Sequence, residues 1–138
     1  MSGGFDLDLA DPAQSGVYAV GDADLDTLAA LARDAGLRVL RVDLRGCADK
    51  RTLLARLAAQ LDFPAAFGRN WDALSDALSD LAWQPAQGYA LLLESAGPLR
   101  AAAAGDFDTL LDILDEAAGS WREAGIPFAV FIGLESAA

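Results

Sequence analysis

Two unbroken apolar runs constrain the fold of this chain more than any other feature. Tyr89-Ala90-Leu91-Leu92-Leu93 and Phe128-Ala129-Val130-Phe131-Ile132 have the length of strands and no polar interruption. A strand with one wet face alternates apolar and polar residues, whereas a continuous run fits a strand covered on both faces. Covers are available, because helix-like segments separate all the candidate strands. The predicted order is β-α-β-α-α-β-α-β. That alternation favours an α/β fold, a small parallel sheet of three or four strands flanked by helices. At 138 residues the chain is long enough to bury its own core as one domain.

The boundaries follow from caps and breakers. Residues 1–16, with Gly3, Gly4, Pro12 and Gly16, read as a loose, flexible tail. Residues 17–36 read as a β-α unit. Val17–Val20 is its strand, and its helix runs from a cap at Asp22 or Asp24 to about Ala35, with Leu25, Leu28, Leu31 and Ala32 on one face and Gly36 ending it. Residues 37–133 form the main body of the domain 17–138. Leu37–Leu44 is strand-like and Gly46 breaks it. Asp49 caps a helix that stacks Leu53, Leu54, Leu57 and Leu61. Pro64 begins a short helical turn and Gly68 ends it. Asn70 then caps a helix whose Trp71, Leu74, Leu78 and Leu81 form one stripe. Trp83–Gly88 is a loop. Ser95–Gly105 is a longer connection with room for a helical turn in its alanines. Asp106 or Asp108 starts the last helix, which reaches about Ala124, and Gly125 closes it.

Charge narrows the function. The net charge is −11, unevenly spread. Residues 1–69 hold 10 acids and 8 bases, and residues 70–138 hold 11 acids and 2 bases. An acidic second half repels nucleic acid and anionic membrane and steers basic proteins or cations inward. There is no histidine, so the commonest general base and transition-metal ligand are missing. Cys47 is the only cysteine, which excludes an internal disulfide and a cysteine zinc site, and its place after a strand-like run suits a packed thiol. Lys50, the only lysine, follows no glycine-rich phosphate loop. No metal or cofactor is expected. The polar, acidic start lacks the pattern of a secretory signal, so a cytoplasmic location is expected, and no apolar run has membrane-spanning length.

Within the acidic half, Asp72, Asp76 and Asp80 stand at i, i+4 and i+8 of one predicted helix. Such residues lie one above another, away from the apolar stripe. Each like-charge pair costs a few tenths of a kcal/mol, and only Asp72, in the first turn, recovers part of that from the helix dipole. Spacing alone leaves two readings open, a solvated face or a surface that meets positive charge. Catalysis by paired carboxylates needs a cleft and unequal environments for the two groups, which neighbours on an exposed helix do not provide. The chain is therefore not expected to be an enzyme.

The motif Phe63-Pro64-x-x-Phe67-Gly68-x-Asn70-Trp71-Asp72-Ala73-Leu74-x-Asp76 resembles the barstar family, intracellular inhibitors of barnase-type ribonucleases. The likeness runs from about Val39 to Ile132, and the strands, helices and Gly125 fall in family order. The resemblance implies a barstar-like fold for residues 37–133, with residues 17–36 as an addition. It implies a partner, a basic barnase-type ribonuclease or ribonuclease toxin, whose cationic site is plugged so that the producing cell is protected. By motif, Asp76 would enter the phosphate pocket and Asp72 would engage a neighbouring arginine. Gly68, Asn70 and Phe67 would sit at the helix entrance, and Glu116 on the last helix would meet the same basic rim. Phe67, Gly68 and Asn70 also have plain roles in closing a turn and capping a helix. Ala66 stands where barstar has a tyrosine, Ser75 where it has tryptophan and Ala77 where it has cysteine. The alternative is an adaptor of the same fold that binds a different basic protein.

Overall fold

The computed structural model describes residues 8–63, 70–80 and 87–134. Strands β1 (Gly16–Gly21), β2 (Arg38–Asp43), β3 (Tyr89–Glu94) and β4 (Phe128–Leu134) form one sheet in the order β1-β4-β3-β2. All three pairings are parallel, with Tyr18 opposite Phe131, Phe131 opposite Leu92, and Leu91 opposite Leu40. Among the described residues, five α-helices flank it: α1 (Leu25–Asp34), α2 (Lys50–Gln60), α3 (Trp71–Asp80), α4 (Gly97–Ala102) and α5 (Ala104–Glu123). This is the flanked parallel α/β sheet that the two apolar runs demand.

Those runs are the two central strands, and alternate residues serve opposite faces. Leu91, Leu93, Phe128, Val130 and Ile132 join the larger core with Leu53, Leu57, Leu74, Leu78, Leu110 and Leu114 from α2, α3 and α5. Ala90, Leu92, Ala129 and Phe131 form a second core with Leu25, Leu28, Ala29 and Ala32 from α1. The acidic helix α3 therefore shares a layer with α2 and α5.

Several local expectations change. The Ser95–Gly105 connection contains a defined helix, α4, and α5 begins at Ala104, ahead of Asp106. Leu31 is 39% exposed, and Ala29 takes its place in the core. Counting about 100° per residue from Leu25, Leu28, Ala29 and Ala32 all lie within about 60°, whereas Leu31 lies about 120° away. Neither Asp22 nor Asp24 caps α1 with its side chain. Asp24 makes no side-chain cap bond, and Asp22 Oδ1 accepts the amide of Ser95 at 2.9 Å.

Residues 8–15, read from the sequence as part of a loose tail, bury Leu9 and Ser15. Leu9 is 5% exposed. Asp11 caps a short 3-10 turn at Pro12–Gln14 by accepting the Ala13 amide at 2.9 Å. Buried Ser15 accepts the Phe128 amide at 2.9 Å through Oγ. The expected turn at Pro64–Gly68, the stripe position Leu81 and the loop from Trp83 to Ala86 lie outside the described residues.

Candidate functional site

Helix α3 is built as its sequence proposes. Asn70 Oδ1 accepts the Ala73 amide at 2.7 Å, and the Asn70 carbonyl accepts the Leu74 amide at 3.0 Å. One side chain and one carbonyl thus start the helix. Leu74, Ala77 and Leu78 are buried, and Trp71 is half-buried. With that stripe turned to the core, Asp72, Asp76 and Asp80 stand exposed. Among the described residues, none of Asp72, Asp76 and Glu116 takes part in an ion pair. Their carboxylates face solvent, in a form that a cationic partner can meet.

Two indoles tie α3 down at its ends. At the start, Lys50 Nζ lies 5.3 Å from the centroid of the Trp71 ring, within range of a cation–π contact. At the end, Trp121 Nε1 of α5 donates to the Leu78 carbonyl at 2.8 Å. Leu78 lies two residues before the last described residue of α3. The Trp121 ring is stacked on Phe128, centroids 6.3 Å apart and planes 4° from parallel.

Glu116 lies on α5, beside α3. It lines a shallow groove of about 360 Å³ between α3 and α5, with Ser75, Ser79, Gly119, Ser120, Arg122 and Glu123. The lining from α3 is two serines, one of them next to Asp76. The guanidinium of Arg122 donates to the Ser15 carbonyl at 3.0 Å. Asn70 also lies on this helix, but its side-chain oxygen serves the cap. Phe67 and Gly68 lie outside the described residues.

Two features escaped the sequence reading. The Trp121 clasp joins residues 43 apart in sequence, and no local pattern marks an indole as a cap for another helix. An open cavity of about 760 Å³ lies between the start of α2 and Asp106, lined by Asp49, Lys50, Arg51, Thr52, Leu54 and Ala55. Asp49 there accepts the Thr52 amide at 2.8 Å, and hydrogen bonds from the Thr52 amide and side chain hold its carboxyl below the ordinary value. Cys47 is buried, and burial raises its thiol pKa. Among the described residues, no group of three or more acidic or cysteine side chains converges as a metal site, and no helix is long and apolar enough to cross a membrane.

The described residues thus form a parallel α/β sheet that carries a capped helix with exposed acids. Residues 37–133 match the model of the family Barstar (barnase inhibitor), and the chain belongs to that family. No curated protein sequence matches it. Among solved structures it is similar to the ORC2 protein of Aeropyrum pernix. The form described as ADPNP-ADP complexes gives 16% identity and a TM-score of 0.60, covering 88% of this chain and 35% of that one. The ADP form gives 16% identity and a TM-score of 0.62, covering 94% and 38%. This chain thus spans little more than a third of the ORC2 chains, and the likeness is one of fold.

Proposed function

We propose that this protein inhibits a basic barnase-type ribonuclease in the cytoplasm by laying α3 and the segment before it across the cationic active site. The observation that carries the reading is the exposed row of Asp72 and Asp76 on α3, neither in an ion pair with a described residue, inside the stretch that matches the family of barnase inhibitors. A ribonuclease site is cationic because it holds RNA phosphates. Asp76 stands in for a phosphate there, Asp72 pairs with a neighbouring arginine, and Glu116 across the groove meets the basic rim. Gly68 and Phe67 complete the helix entrance beside Asn70.

The test is titration against barnase by calorimetry and stopped flow. Asp76→Ala is expected to weaken binding by about 2 kcal/mol or more, roughly 30-fold. That is the general cost of truncating one partner of a buried charge pair, a range to which barnase–barstar itself contributes. Asp80→Ala is expected to stay within about threefold, as an outlying charge that acts mainly through the field. Association should slow as salt screens the steering field. Equal losses in the two variants would remove Asp76 from the centre of the interface.

An adaptor that binds another basic protein is the second reading. Ser75 favours it, because it makes the α3 side of the groove polar where barstar has tryptophan. Capture of a non-nuclease partner by the wild type, lost when Asp72 and Asp76 are both alanine, would select it. The nucleotides named with the ORC2 structures are not carried over. The turns after β1 and β2 bring Asp22, Asp24 and Asp49 to the starts of helices, and carboxylates there repel phosphate.

A further inference from the structure

We infer that Trp121 is a positioning residue for the acidic helix, acting through a hydrogen bond that fixes the C-terminal end of α3 against α5. The inference rests on the proposed use of α3 as the docking element. Trp121 Nε1 donates to Leu78 O at 2.8 Å. Leu78 is two residues beyond Asp76, within the same turn, so the bond holds the backbone that carries the central carboxylate. The donor itself is rigidly placed. Its ring is stacked on Phe128 and tilted against Tyr89, with centroids 6.3 and 5.5 Å away. Phe128 and Tyr89 belong to β4 and β3, so the clasp refers α3 to the sheet as well as to α5. At the other end, the Asn70 cap and the Lys50–Trp71 contact fix the entrance. With both ends held, the Asp72–Asp76 row is preorganised, and a partner has less ordering to supply on binding.

The chemistry also fits a role in position rather than in bulk packing. Trp121 is half-buried, and phenylalanine at this place would keep most of the ring contact with Phe128 and Tyr89 while removing the only donor. The Leu78 carbonyl would then lose that partner, and the described end of α3 would be freer to shift.

The test is a double-mutant cycle with barnase as the probe, using Trp121→Phe, Asp76→Ala and the pair. Trp121→Phe alone is expected to weaken binding roughly 3- to 10-fold, the range carried by one neutral hydrogen bond, chiefly through faster dissociation. In the Asp76→Ala background the same change is expected to cost less than twofold, because the group it positions is gone. Equal losses in both backgrounds would make Trp121 merely structural and overturn the inference. Hydrogen exchange of the free protein tests the clasp without a partner. Trp121→Phe should speed exchange in the last turn of α3 and leave β3 and β4 unchanged, and unchanged α3 exchange would overturn the inference. Should the wild type fail to bind barnase, the inhibitor reading fails with that nuclease, and the exchange arm still decides whether Trp121 holds α3.

Discussion

Asp22 closes the carboxyl end of the sheet by accepting the Ser95 amide across a sequence separation of 73 residues. Gly133 makes that reach possible. A Cβ there would collide with the Asp22 carboxylate, would lie 2.7 Å from Leu25 Cδ1, and would press on the Leu93 carbonyl at 3.2 Å. The carbonyl is part of the strand ladder and cannot withdraw, so Gly133→Ala is expected to destabilise the fold by about 1–3 kcal/mol, the usual cost of overpacking. An unchanged denaturant midpoint would refute that. Asp49 carries a different signature. Its folded carboxyl is held below the ordinary value of 3.8, so its contribution is complete above that value and is lost as pH falls through the lower folded value. The acid limb of the stability curve should be shallower in Asp49→Asn below about pH 4, and superimposable limbs would argue against a role for this cap. The side-chain caps of α2 and α3, Asp49 and Asn70, are legible in the sequence. Asp22 is not, because a local pattern cannot distinguish an aspartate that caps its own helix from one that serves a distant turn.

Element by element, the periods of hydrophobicity carry the reading. Continuous apolar runs mark β3 and β4, and the Leu74–Leu78 spacing marks α3, because each of these elements presents its buried residues in a regular rhythm. Helix α4 is less legible, for its sequence Gly-Pro-Leu-Arg-Ala-Ala buries only Leu99. One buried side chain cannot establish a period. Leu31 misleads for the opposite reason, since an apolar residue at an acceptable spacing lies just beyond the buried arc of α1. The candidate site divides in the same way. Asp72 and Asp76 are legible as a row on one helix. That Glu116 lines a groove with Ser75 depends on how α5 lies against α3, and the clasp from Trp121 belongs to that packing as well. Side-chain spacing within one element does not encode the approach of another, and only the family resemblance suggests Glu116.

For the whole molecule, the strand order matters most. Spacing predicts strands and covers but not their lateral order, and the sheet places the first strand beside the last. β1 pairs with β4 along Gly16–Gly21, and α1 covers the sheet face formed by Ala90, Leu92, Ala129 and Phe131. The family match begins at residue 37, so both contributions come from outside the matched region. We propose that residues 8–36 complete the fold and do not form a separable appendage. Removing residues 1–36 would bare the edge of β4 and expose Phe131 and Leu92, both fully buried in the whole chain. Each such side chain contributes about 1.5–3 kcal/mol by burial, and the lost strand ladder adds to that. The sum is comparable with the roughly 5–15 kcal/mol that holds a typical domain together. A chain of residues 37–138 is therefore expected to bind a hydrophobic dye, lose cooperative unfolding and associate through the bared edge. Sharp unfolding at the midpoint of the whole chain, with no dye binding, would show instead that the matched region stands alone and that β1 and α1 are dispensable to it.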